Sequence, residues 1–351
     1  MWRQLDQPYH YYRRYHCRAN ARELARTVTV ARPDILYIWE ITGLGVSSLL
    51  RSLPALDVPI VFHLGSYWLL YARSPETAHS RLRAQWLKRW LIGRVPALAW
   101  TSLIAVSATV KREYVDAGFD PERIEVIHNG VSSCFFSASC APDPLSALPE
   151  SKTIQLLFAG RLCLEKGVIT ILEALDLLIN APGPAAMARD LLHLHILGSG
   201  DPVYEAELNA YLLHKRLTDV VTFHGRVPQH QLITYYDHAD IMLVPSLWKE
   251  PFGLVTVEAM ARGLAVIASR VGGSAEIITD GENGLLVNPG DPHALATAIQ
   301  DLARDASKRK RLAHSAQAAA RERFTIAEDA RRIGEHLRRA IRADARVGAS
   351  V

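Results

Sequence analysis

The chain has 351 residues, enough for two domains at roughly 150 residues each. Hydrophobic residues make up 49% and charged residues 22%, which excludes a disordered or collagen-like chain. The net charge of +4 is too small to point to nucleic acid, yet residues 1–100 hold 14 Lys and Arg against 6 Asp and Glu, mostly Arg, which suits phosphate-bearing groups.

The first 26 residues are aromatic and basic, with Tyr9, Tyr11, Tyr12, Tyr15 and six arginines. They lack the apolar core of a secretory leader. Short apolar runs follow at 35–38, 60–62, 103–106 and 124–127 and read as strands. Between them, 80–94 reads as a basic amphipathic helix. Trp86, Leu87, Trp90 and Leu91 share one face, ringed by Arg81, Arg83, Lys88, Arg89 and Arg94. Such a helix either packs its tryptophans into a core or lies on an anionic membrane surface. The charge-free run between Arg94 and Lys111 has 16 residues and contains Pro96, short of the ~20 that a membrane span needs. Four cysteines, with only Cys134 and Cys140 close in sequence, make no disulfide framework or zinc pattern and suit reduced thiols in the cytoplasm.

A proline-rich stretch with Pro142, Pro144 and Pro149 separates the halves. The reading is an N-terminal domain over 1–141, a linker over 142–151, a C-terminal domain over 152–325, and a terminal helix and tail over 326–351. The helical pattern of that last segment runs to about Arg342. The second half repeats the alternation, with strands at 154–159, 192–197, 220–223, 241–244 and 265–268 and a helical stripe over 168–179. Apolar runs without clean alternation, separated by helices, indicate parallel strands covered on both faces, a doubly wound α/β architecture.

The strand over 154–159 runs into Gly160-Arg161-Leu-Cys-Leu-Glu-Lys166-Gly167 and then into a helix. A glycine at the strand exit, a helix N-terminus and two cations together suit a diphosphate. The loop is neither a Walker loop nor a dinucleotide fingerprint. The second constellation follows the strand over 241–244, where Glu250 stands in the loop and Glu258 about one turn inside the next helix. Two ionised carboxylates facing one crevice are acceptors suited to sugar hydroxyls. His193 and His195 alternate on one strand face without a third ligand nearby in sequence and read as structural.

In order, the motifs are Gly-Arg-x4-Lys-Gly, Leu-Gly-Ser-Gly at 197–200, Phe-His-Gly-Arg-Val at 223–227, Glu-x7-Glu and Val-Gly-Gly-x2-Glu-Ile-Ile at 271–278. This pattern, with Asp280-Gly-Glu-Asn-Gly closing it, resembles the retaining GT-B glycosyltransferases of family 4 over about 100–330. The resemblance implies a GT-B fold, two Rossmann-like domains facing across a cleft. It implies a nucleoside-diphosphate sugar, UDP- or GDP-linked, as co-substrate, with no cofactor and no metal; the absence of any Asp-x-Asp agrees. Arg161 and Lys166 would hold the leaving diphosphate, Glu258 the ribose and Glu250 the donor sugar. The backbone of Phe252, Gly253 and Leu254 would lie near that sugar. Gly198 and Gly200 would allow close approach beneath the donor, and Val227, beside Arg226, would adjoin the base. His63, ending the strand from Pro59, resembles a histidine that reaches the reaction centre; the plain alternative is a strand-end histidine.

The family's opening strand and glycine-rich loop are not found, so the first domain is expected to lack about two βα units. The partners implied are a nucleotide sugar, a saccharide or lipid-linked acceptor of cell-surface polymer assembly, and an anionic membrane surface through 80–94, with no nucleic acid. The place expected is the cytoplasm, peripheral on the inner membrane face. Two other readings are a donor-binding homologue with impaired catalysis acting as a partner subunit, and a glycoside hydrolase using Glu250 and Glu258.

Overall fold

The computed structural model describes residues 18–39, 49–50, 52–67, 70, 102–137, 153–182 and 186–348. The expected 80–94 helix, the 142–151 linker and the first 17 residues of the aromatic basic segment lie outside the described residues.

Two compact units form. One holds the described residues up to His128 together with the chain from Ala330 onward, and the other holds Asn129–Asp329. The first unit contains helix α1 (Arg18–Ala31) and strands β1 (Leu36–Trp39), β2 (Ile60–Leu64), β3 (Ser102–Ala105) and β4 (Ile124–Val126), with α2 (Ala108–Asp116) between the last two. Among the described residues, these strands form a parallel sheet in chain order. Ser107 caps α2 by accepting a hydrogen bond from the Val110 N–H, which fixes where that helix begins.

The second unit runs β5 (Ile154–Ala159), α3 (Val168–Ile179), β6 (Leu192–Leu197), α4 (Pro202–Lys215), β7 (Val221–Gly225), α5 (Gln229–His238), β8 (Ile241–Val244), α6 (Leu254–Arg262), β9 (Ala265–Ser269), α7 (Ser274–Ile277), β10 (Leu285–Val287), α8 (Pro292–Arg304) and α9 (Ala306–Arg323). Among the described residues, the strands form a parallel sheet in the order β10-β9-β8-β5-β6-β7. Strand β10, which the sequence reading did not separate, is three residues long and pairs with β9. The expected stripe on α3 is real: Ile171, Leu172, Leu175, Leu178 and Ile179 are all buried, in one core with Leu295, Ile299 and Leu302 of α8.

The last helix, α10 (Ile326–Gly348), continues beyond Arg342. The sequence reading set 326–351 apart, whereas from Ala330 the helix belongs with the first unit. Its Ile333, Leu337 and Ala340 cover Val61, Ile104 and Ile127 of that sheet and its loops. Near the passage from one unit to the other, the Val131 N–H bonds to Phe324 O at 2.8 Å and the Ile326 N–H to Val131 O at 3.1 Å. Among the described residues, no helix is long and apolar enough to cross a membrane.

Candidate active site

In the second unit the strand order turns back between β5 and β8: successive strands leave to one side after β5 and to the other after β8. Ligands of open α/β sheets bind at such a switch point, beyond the carboxyl ends of the strands. The loop after β5 carries Arg161 and Lys166, and the loop after β8 carries Glu250. Because the two strands are parallel neighbours, their exits emerge side by side. Lys166 Nζ accordingly donates to Glu250 Oε1 at 2.6 Å, although the residues are 84 positions apart. The Glu250 side chain is 8% exposed and that of Lys166 21%.

Removing one member of such a desolvated pair leaves an uncompensated charge, at a cost of about 3 kcal/mol. Ser246, buried on the same loop, donates its hydroxyl to the same Oε1. Among the described residues Oε2 takes no such bond, which leaves it for a ligand hydroxyl. Lys166 keeps two further N–H donors for phosphate oxygens. Sequence reasoning missed Ser246; its only signal is its place four residues before Glu250.

Glycines hold the two loops against their neighbours. Gly167 adopts φ +68°, and a Cβ there would lie 2.1 Å from Pro245 O. The two loops are further tied by the Leu247 N–H donating to Glu165 O at 2.8 Å. Gly272 and Gly273 press on the Glu250 loop from the other side, with the Gly273 N–H on Glu250 O at 2.8 Å. The motif at 271–278 therefore has a mechanical role that the pattern alone did not disclose. Gly198 and Gly200 pack directly on the backbone of the β5 exit loop, at Gly160 O and Leu162 O.

Glu258 lies inside α6, half-buried, and Oε2 accepts the Tyr236 hydroxyl at 2.9 Å. Burial raises the Glu258 carboxyl above the usual range, and the bond from Tyr236 pulls partly against that. Tyr236 is fully buried and 22 positions away on α5, so no local pattern could have announced it.

The Phe252 side chain belongs to the core, edge-on to Phe324 with centroids 5.9 Å apart, so only its backbone could serve a ligand. Gly253, at φ +101°, starts α6 without a side-chain cap, and Leu254 is 45% exposed. Arg161 is exposed and Val227 half-buried. At the start of α3 the Ile169 N–H is taken by the Tyr204 hydroxyl at 3.2 Å, so the helix end offers fewer donors than its sequence implied.

His63 is in the other unit, next to last in β2, and fully buried. Its Nδ1 lies 2.5 Å from the Tyr37 hydroxyl, and its ring lies tilted at 43° against Trp39 with centroids 4.0 Å apart. Burial, and then the proximity of His336, lower its pKa to about 4. His193 and His195 have a third imidazole nearby after all. The β6–β7 register places His224 Nε2 2.9 Å from His195 Nδ1, with Gln155 Oε1 3.0 Å from the other ring nitrogen. Both His195 nitrogens are thus occupied by hydrogen bonds, in keeping with a structural role. Among the described residues no His, Cys, Asp and Glu group has an arrangement able to hold a metal ion.

Two family descriptions match the chain in tandem: glycosyltransferase family 4 over residues 4–133 and glycosyl transferases group 1 over residues 146–319. The chain belongs to glycosyltransferase family 4. An uncharacterized glycosyltransferase of Methanocaldococcus jannaschii is 31% identical over 229 residues, covering 64% of this chain and 56% of its own. The D-inositol 3-phosphate glycosyltransferase of Xylanimonas cellulosilytica is 34% identical over 231 residues, covering 62% and 52%. The chain thus spans about half the length of the curated relatives it matches. Anabaena HepE, solved in complex with UDP-glucose, superposes with a TM-score of 0.70 at 25% identity, over 90% of this chain and 81% of that one. The α/β fold with parallel sheets is that of the GT-B glycosyltransferases.

Proposed function

We propose that this family 4 chain moves a sugar, with retention of anomeric configuration, from a nucleoside-diphosphate sugar to a saccharide or lipid-linked acceptor in cell-surface polymer assembly. The observation that carries the reading is the Lys166–Glu250 pair at the β5/β8 switch point, a cation suited to phosphate beside a carboxylate suited to hydroxyls. The solved complex of HepE with UDP-glucose supports a UDP-linked donor, and a GDP-linked donor is the alternative.

In this reading the reaction is a front-face displacement, the acceptor oxygen entering on the side the diphosphate leaves. Catalysis then rests on charge stabilisation at the departing diphosphate by preorganised groups. Arg161 and Lys166 supply that charge. Glu250 orients the donor sugar with Ser246 holding it in place, and Glu258 takes the ribose hydroxyls. The backbone at Phe252, Gly253 and Leu254 borders the sugar, Gly198 and Gly200 leave room beneath it, and Val227 adjoins the base. A proton from the acceptor passes to a phosphate oxygen, so no protein base is required. His63 serves the reaction centre only if its β2 surroundings open, since its ring is buried. The basic 80–94 segment would bring the enzyme to the cytoplasmic face of an anionic membrane, where a lipid-linked acceptor resides.

A glycoside hydrolase built on Glu250 and Glu258 would have no use for the cations of the β5 loop, because its two carboxylates must flank a single bond. The test is to incubate the purified chain with UDP- and GDP-linked hexoses and with a simple nitrophenyl glycoside. Transfer or slow hydrolysis of one nucleotide sugar, with the sugar released in its original anomeric form, is the expected outcome. Cleavage of the simple glycoside without any nucleotide would overturn the assignment.

A further inference from the structure

A second constellation lies in the other unit. On β3, Ser102 and Ile104 point to the same face of the sheet, and the parallel register sets Ile104 opposite Glu125 of β4. Ser102 and Glu125 therefore stand on one face, the face that α10 covers with Ile333, Leu337 and Ala340. His336 belongs to that same helix stripe and drops between them, buried. Its Nε2 lies 2.7 Å from Ser102 Oγ, and its Nδ1 lies 2.6 Å from Glu125 Oε2. Burial alone would raise the Glu125 carboxyl, but hydrogen bonds from His336 and Arg339 outweigh it and keep the group below its ordinary range, hence ionised. An ionised Glu125 holds the proton on Nδ1 and leaves Nε2 to accept the serine hydroxyl.

This is the arrangement of a nucleophile, a base and a group that orients the base. It is also open: Ser102, Glu125, His336, Arg123 and Arg339 line a cleft of about 230 Å³. A purely structural serine–histidine bond has no need of a cleft beside it.

We propose that Ser102, His336 and Glu125 form a second active site that cleaves short-chain esters. Ser102 Oγ attacks the ester carbonyl carbon while its proton passes to His336 Nε2. The C–O bond to the leaving alcohol then breaks, and His336 returns the proton to that alcohol. Water attacks the acyl-serine, gives its proton to His336, and releases the carboxylic acid and a regenerated Ser102. Glu125 stays ionised throughout as a positioning residue. Arg123 stands at the cleft in which the oxyanion forms, with Asp120 3.7 Å from its Nε and Glu122 on the same lining, so its charge reaches the oxyanion partly offset. The cleft is smaller than the usual 300–1,000 Å³ of ligand sites, which favours small esters.

The test treats the full chain with a fluorophosphonate probe and, separately, with p-nitrophenyl acetate, and locates the adduct by mass spectrometry. The expected result is a single adduct on Ser102, absent in Ser102→Ala. Labelling should slow by roughly 100-fold or more in His336→Ala, the scale of a general base. It should slow at least tenfold in Glu125→Gln, with return of rate in Glu125→Asp and with melting temperature and UDP binding unchanged in both. Should Ser102→Ala fail to fold, adduct mapping on the natural chain decides alone. A folded chain with no adduct on Ser102, or one whose labelling rate ignores His336→Ala, overturns the proposal.

Discussion

His63 carries its ring in a sheet interior, with one nitrogen against the Tyr37 hydroxyl and the ring tilted against Trp39. Its pKa of about 4 in the fold, against an ordinary 6.5, means that the unfolded chain binds this proton first. Its contribution to stability is therefore complete above pH 6.5 and is lost as the pH falls towards 4, about 3 kcal/mol across that window. Replacing His63 by Gln, which keeps a polar group but cannot take the proton, should flatten the fall in unfolding free energy between pH 7 and pH 4. Urea denaturation at several pH values reads this directly, and an unchanged slope would show that other groups drive the acid sensitivity. Glu250 illustrates what the chain order shows and what it hides. Its type and loop position were legible because a carboxylate beyond a buried strand suggests a ligand site. Its partners were not, since Ser246 and Lys166 reach the same oxygen only after β5 and β8 have paired.

Among the elements, β5, α3, β6 and β8 were legible to their terminal residues, the strands from short apolar or alternating runs and α3 from its helical apolar stripe. β10 was not, being three residues set between turn-forming segments. The histidine cluster also needed the register, which sets β7 beside β6 with an irregularity between Ile196 and Leu197. The glycines at strand exits divide into two mechanical classes, and a prediction follows for each. Gly198 adopts φ +133°, and a Cβ there would lie 1.8 Å from Gly160 O. Gly198→Ala must displace the β5 exit loop and should cost at least about 3 kcal/mol. Gly225 adopts φ +64° with nothing within 4 Å of a Cβ. Gly225→Ala should cost only the left-handed penalty, about 1 kcal/mol. Urea midpoints of the two variants, compared with the natural chain, test the distinction; equal losses would contradict it.

For the whole molecule, length alone suggests two domains, and the chain forms two compact units, one of the described residues up to His128 with the chain from Ala330 onward and one of Asn129–Asp329. The crossing of α10 into the first unit was not legible, because an amphipathic stripe shows that a helix is covered but not by what. Its apolar residues are used against Val61, Ile104 and Ile127, and its His336 against Ser102 and Glu125. The surplus of basic residues in the first hundred remains mostly in segments outside the described residues. The account of function therefore rests on the second unit, where Lys166 meets Glu250 at the β5/β8 switch point, with Arg161 in the same β5 loop and Glu258 in α6. Its central claim is that this unit binds a nucleoside diphosphate through Glu258 and the β5 loop. Calorimetric titration of the natural chain and of Glu258→Ala with UDP and GDP tests it most directly. The account predicts binding of one nucleotide by the natural chain and at least tenfold weaker binding by a folded Glu258→Ala, whose stability falls by about 1–3 kcal/mol because the Tyr236 hydroxyl loses its partner. Equal affinity of the two proteins, or no binding of either nucleotide by the natural chain, would contradict it.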